Sequence, residues 1–94
     1  MRIATVCGMG FGTSMMLKLT VDKILREAGV DAEVSPVDLG SVKTMPADLI
    51  VAPADMRSHL GGSTVPVVYI DNLVNKAEIA EKVVPAVREV AGES

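Results

Sequence analysis

Apolar and polar positions follow two rhythms along this chain. Short apolar runs occur at Ile3-Ala4-Thr5-Val6 and Leu49-Ile50-Val51-Ala52, and their continuity predicts strands buried on both faces, as parallel strands are. Arg2–Val6 is thus a first strand, and Asp48–Ala52 another, closed by Pro53. Asp31–Val37 alternates, with Ala32, Val34 and Pro36 on one side and Asp31, Glu33, Ser35 and Val37 on the other. That pattern predicts a strand with one partly wet face, and Pro36 suits a sheet edge. Val65–Ile70 is a fourth strand with Pro66 at its start. Between these runs the period changes. Leu17, Val21, Ile24 and Ala28 recur at helical spacing and predict a helix over Met15–Ala28, capped by Thr13 or Ser14 and stopped at Gly29. Asp22 with Arg26, and Lys23 with Glu27, stand four residues apart on it. Ile79, Val83, Val87 and Val90 predict a last helix, opened by a capping box from Asn75 to Glu78 and kinked near Glu81 by Pro85. Shorter helices are expected at Gly40–Thr44 and from an Asp55 cap to Leu60, ahead of Gly61-Gly62.

The order strand, helix, strand, connector, strand, helix, strand, helix predicts an α/β fold. A four-stranded parallel sheet in the order 2-1-3-4 would be flanked by helices on both faces, in the Rossmann-like or flavodoxin-like manner. Strands one and three are then neighbours at a topological switch point, where ligands bind beyond the strand ends. There is no internal repeat or low-complexity segment, so residues 1–94 are expected to be a single domain. A chain of this length buries roughly 60–70% of its unfolded surface, enough for one core without staples.

Composition narrows the function classes. The net charge is −3, no Lys/Arg cluster exists, and Phe11 and Tyr69 are the only aromatic residues, so nucleic-acid binding has little to work with. The lone cysteine, Cys7, has no partner for an internal disulfide and no C-x-x-C metal spacing, which fits a reducing cytosol. No apolar run approaches ~18 residues, so no transmembrane insertion is expected. Arg2 precedes too short an apolar stretch for a signal peptide. The same shortness sets aside Ala4-Thr5-Val6-Cys7 as a lipidation site.

Chemistry concentrates in Val6-Cys7-Gly8-Met9-Gly10-Phe11-Gly12-Thr13-Ser14. A strand, a glycine-rich turn and a helix start form an anion site, because the first turn of a helix carries N–H groups without partners. The glycines at 8, 10 and 12 let consecutive amides point inward. Gly8, Gly10 and Gly12 do not match G-x-G-x-x-G, and no lysine follows as in a Walker loop, which argues against a nucleotide. Three readings of Cys7 stay open. It is an inert buried thiol, a hydrolytic nucleophile or a phosphoryl carrier. Hydrolysis in a Cys-x5-Arg loop needs an arginine fork at residue 13, where this chain has Thr13. Without that fork the loop suits retention of a phosphoryl group more than its release to water.

The run from Val6 to Lys18, with its C-G-x-G-x-G-[ST]-S pattern, resembles the active loop of IIB components of the bacterial phosphoenolpyruvate-dependent sugar phosphotransferase system. It is most similar to the ascorbate type, with the lactose/cellobiose and galactitol types as relatives. The resemblance implies a phosphotransferase component in which Cys7 is the transient nucleophile. Residues Gly8, Met9, Gly10, Phe11, Gly12, Thr13 and Ser14 would hold the phosphoryl group. It implies a phosphohistidine donor, IIA, and a membrane permease, IIC, whose bound sugar receives the phosphate. It implies no cofactor and no metal, and a cytoplasmic protein, read here as a monomer with transient interfaces. A regulatory IIB-like module and a low-molecular-weight-phosphatase-like thiol hydrolase are the alternatives.

Other residues compete between roles. Met9 and Phe11 either point outward as a docking surface for IIA and IIC or fold back as core. Met15 and Met16 divide in the same way, with at least one expected in the core. Arg57 lies on the turn after the third strand and is a candidate for approaching the phosphoryl group, although arginines so placed are more often solvated. His59, the only histidine, is expected on a solvated helix position.

Overall fold

The apolar run at the start of the chain becomes β1 (Arg2–Val6), the inner strand around which the sheet is built. A computed structural model describes residues 1–6, 11–37, 39–42, 44, 47–60, 65–72, 75–90 and 92, with the backbone alone at 11–14 and 39. After β1 come α1 (Phe11–Glu27), β2 (Glu33–Val37), α2 (Leu39–Val42) and β3 (Leu49–Pro53). A 3-10 turn (Ala54–Met56) leads into α3 (Arg57–Leu60), followed by β4 (Val67–Ile70) and α4 (Lys76–Val90). The strands pair in parallel in the order β2-β1-β3-β4, the order the alternation of elements predicts.

Two apolar layers enclose the sheet. On one face Ile3, Val34, Leu49, Val51 and Ile70 meet Leu17, Val21, Ile24 and Leu25 of α1 and Ile79, Val83 and Val87 of α4. On the other, Ala4, Val6, Val37, Ile50 and Ala52 meet Val42 of α2, Met56 and Leu60. The inner strands are covered on both faces, which is why their sequences read as unbroken apolar runs. β3 is buried at all five positions. Thr5 is the buried polar exception, and its hydroxyl donates to the Ser35 carbonyl of β2 at 3.4 Å. At the amino ends of the inner strands the Arg2 N–H donates to the Asp48 carboxylate and the Asp48 N–H to the Arg2 carbonyl, both at 2.8 Å.

Several boundaries differ from the sequence reading, each for a physical reason. α1 begins at Phe11, so Thr13 and Ser14 have helical backbone and are not its cap, a position that takes non-helical dihedrals. Glycine and hydroxyl residues disfavour a helix interior, but the penalty of about 1 kcal/mol or less per residue is small beside the packing of the four core side chains that follow. The helix ends where expected. Gly29 takes φ +76°, the Val30 N–H donates to Leu25 O at 2.8 Å and the Gly29 N–H to Arg26 O at 3.1 Å, a Schellman arrangement. The Asp22–Arg26 ion pair forms at 3.3 Å. Pro53 belongs to β3, paired with Ile70, and caps the 3-10 turn without a side-chain bond. Asp55 therefore sits inside that turn, exposed, and is not a cap. Helix α2 covers Leu39–Val42, short of Thr44. Pro85 lies on the exposed side of α4, and the helix continues past it to Val90.

Candidate functional site

Parallel strands present all their carboxyl ends at one edge of the sheet. β1 lies between β2 and β3, and the chain leaves these two neighbours of β1 toward opposite ends of the sheet order. That is the switch point of the fold, the crevice where open α/β sheets bind ligands. Val6 ends β1 fully buried, and α1 starts at Phe11. Cys7, Gly8, Met9 and Gly10 fall between them and lie outside the described residues, as do the side chains of Phe11, Gly12, Thr13 and Ser14. The helix start itself is described. Phe11, Gly12 and Thr13 supply its leading backbone N–H groups, which have no acceptor within the helix. A 17-residue helix brings roughly half a positive charge to that end.

The rest of the carboxyl edge is built from the turns after β3 and β4. The 3-10 turn and α3 follow β3 directly and are pinned by buried Met56 and Leu60, while Arg57, Ser58 and His59 face solvent. The guanidinium of Arg57 stacks 4.7 Å from the centre of the Tyr69 ring. Tyr69 belongs to β4, two strands away from β1, a lateral separation of roughly 10 Å at the usual strand spacing. Arg57 thus stacks on a β4 side chain, and the loop it was a candidate to approach, residues 7–10, lies outside the described residues. His59 is solvated, as its sequence context predicts.

One cluster was only half legible in the sequence. Asn75 caps α4, accepting the Glu78 N–H at 3.1 Å, but Glu78 does not close the capping box. Its carboxylate instead accepts the N–H groups of Asp71 and Asn72, at 2.7 and 3.1 Å, and the Lys82 ammonium at 2.8 Å. Lys82 also reaches Asp71 and the Tyr69 carbonyl, both at 3.3 Å. The Lys82 hydrogen bond and the loop amides hold the Glu78 carboxyl below its ordinary pKa, and Glu78 and Asp71 hold the Lys82 ammonium above its own. This knot fixes the exit of β4 at the same edge of the sheet as the end of β1. The i,i+4 spacing of Glu78 and Lys82 was its sequence signal.

Met15 and Met16 are both 45% exposed and Leu19 is 57% exposed, so neither methionine enters the core. At roughly 100° per residue, the buried stripe through Leu17, Val21, Ile24 and Leu25 leaves positions 15, 16 and 19 off its face. Among the described residues, no group of three or more His, Cys, Asp or Glu could hold a metal ion. No helix among them is long and apolar enough to cross a membrane. A depression of about 330 Å³ lined by Met1, Gly29, Val30, Asp31 and Arg88 lies at the opposite, amino end of the sheet.

Comparison with known proteins identifies the family and the fold. Residues 2–84 match the family described as PTS system, Lactose/Cellobiose specific IIB subunit. The chain is 33% identical over 84 residues to the ascorbate-specific PTS system EIIB component of Mycoplasma pneumoniae, covering 86% of this chain and 88% of the relative. It is 32% identical over 93 residues to the protein of that name from Shigella dysenteriae, covering 94% and 90%. The counterpart from Escherichia coli O157:H7 is 33% identical over 95 residues, with the same coverage of 94% and 90%. Among solved structures, the lactose-specific IIB component domain of the phosphotransferase system from Streptococcus pneumoniae superposes with a TM-score of 0.62. That match covers 99% of this chain and 96% of the other at 15% identity, a likeness of fold.

Proposed function

The chain belongs to the lactose/cellobiose-specific IIB family of the sugar phosphotransferase system, whose members are phosphotransferase components working with IIA and IIC partners, and from that premise we propose that it relays a phosphoryl group through Cys7. The thiolate of Cys7 attacks the phosphorus of a phosphohistidine on IIA. The P–N bond breaks as the S–P bond forms, and the released imidazole takes up a proton. In the second step a hydroxyl of the sugar held by IIC attacks the same phosphorus and loses its proton. The S–P bond breaks and the thiolate is regenerated. The substrate is ascorbate or a related sugar, in keeping with the names of the relatives, and the protein works in the cytoplasm as a monomer.

The observation that carries this reading is the helix start at Phe11, four residues after Cys7 and beside the switch point of the sheet. A free thiol has a pKa of about 8.5, so a few per cent is thiolate at neutral pH. A helix N-terminus in favourable geometry stabilises an anion by up to ~2 kcal/mol, about one and a half pKa units. That is enough to make much of Cys7 thiolate without a neighbouring base. In phosphoryl transfer a protein chiefly positions groups and stabilises charge. The amides of residues 8–14 and the hydroxyls of Thr13 and Ser14 serve that purpose. With threonine at position 13, the loop lacks the guanidinium fork that favours attack by water.

A transfer assay tests it. Labelled phospho-IIA is mixed with the wild-type chain or Cys7→Ser, and IIC membranes with ascorbate are then added. Label on the wild type alone that is chased to sugar supports the relay. Label released to water identifies a hydrolase, and label that no sugar removes identifies a reporter module.

A further inference from the structure

The outer face of α1 carries Met15, Met16 and Leu19, the large apolar side chains that stand exposed among the described residues. They are consecutive on the surface of the first three turns, flanked by Lys18 and Lys23, neither of which makes an ion pair among the described residues. The chain as a whole carries −3, and the carboxylate on this face, Asp22, is paired with Arg26, so Lys18 and Lys23 give the patch a basic rim. We infer that it is the docking surface for the phosphohistidine donor protein, which would present an apolar contact edged by carboxylates. The inference rests on the relay reading of Cys7 for the donor's identity.

Two physical arguments bear on the occupant, one placing the patch within a partner's footprint and one separating donor from permease. The first is reach. A protein interface of ordinary size covers about 800 Å² per partner, a disc of roughly 16 Å radius. Leu19 is eight residues beyond the helix start, roughly 12 Å along the axis, so a donor centred on the cysteine loop covers the patch. The second is charge. The cytoplasmic loops of a membrane permease carry an excess of lysine and arginine. Lys18 and Lys23 would meet like charge there, whereas a soluble donor with an acidic rim meets opposite charge. Methionine is also an adaptable contact that repacks as a partner arrives and leaves.

The test uses the full chain with Leu19→Asp, Met15→Asp and the double charge reversal Lys18→Glu/Lys23→Glu. Circular dichroism confirms that each folds, as expected for exposed positions. Binding of unphosphorylated donor is measured by titration calorimetry, a readout that needs no chemistry at Cys7. Each variant is expected to weaken donor binding at least tenfold, with a matching rise in the donor concentration for half-maximal labelling. The rate at which IIC membranes with sugar remove the label is expected to stay within twofold of wild type. Unchanged donor affinity, or equal damage to the permease step, overturns the inference. If the wild type binds the donor but never acquires label, the relay reading fails while the calorimetric comparison still decides the docking surface.

Discussion

Leu17 and Leu19 stand two positions apart on one helix, yet their environments are opposites, at 1% and 57% exposed. Truncating each to alanine applies the same chemical change to the two faces of α1. At Leu17 the lost side chain belongs to the buried layer that includes Ile3 and Val21, and a fully buried Leu→Ala change costs roughly 2–5 kcal/mol. A chain of 94 residues has a total stability of about 5–14 kcal/mol, so a loss near 3 kcal/mol is a large fraction of it. For a domain of this size that corresponds to a fall in Tm of roughly 12–24 °C. At Leu19 the change should stay within about 0.5 kcal/mol, since the side chain is mostly in water and alanine is the better helix former. Urea unfolding followed by circular dichroism measures both, with the slope checked so that only midpoints are compared. A Leu17→Ala loss under about 1 kcal/mol, or a Leu19→Ala loss above about 2 kcal/mol, would refute the assignment of faces on which the docking surface also depends.

Three further expectations follow from other elements. Gly29→Ala places a side chain at φ +76° with no atom within 4 Å of its Cβ, so its cost is conformational, about 1–2 kcal/mol by thermal unfolding, with no local clash. Glu78 titrates below its ordinary value of 4.5 in the folded chain, so its contribution is complete above that pH and fades as pH falls through the folded value. Glu78→Gln should therefore flatten the acid limb of a Tm-against-pH profile. The Lys82 contribution behaves in the opposite sense, present below 10.5 and lost as pH rises through the raised folded value. Arg57→Ala breaks an exposed cation–π contact worth about 0.5–1 kcal/mol and, because Tyr69 holds the guanidinium on β4, should leave the rate of Cys7 labelling within about twofold.

Much of the architecture was legible because the two inner strands cannot hide their environment. Strands buried on both faces must be apolar at every position, and the runs at Ile3–Val6 and Leu49–Ala52 announce that directly. The glycine stop at Gly29 was equally plain, since one backbone position demanded a positive φ. The starts of helices were harder to read. Gly12, Thr13 and Ser14 look like a loop and a cap, but the packing of Leu17 and Val21 carries the helix back over them. Asp55 looked like a cap for the same local reason, and β3 ran one residue further into Pro53. At the site, the cysteine loop stood out through its residue types. The Glu78–Lys82 knot did not, because its acceptor contacts go to backbone amides of Asp71 and Asn72, which no side-chain pattern reveals.

The outer border of β2 has a consequence for how this chain can associate with others. Glu33 turns its N–H inward to the Met1 carbonyl, and alternation along a parallel strand gives the inward role also to Ser35 and Val37. The Val34 N–H is left to point away from β1, and at Pro36 there is no hydrogen to give. Within β2 the seam along which another strand would zip on is therefore reduced to a single donor, which disfavours permanent pairing of that kind.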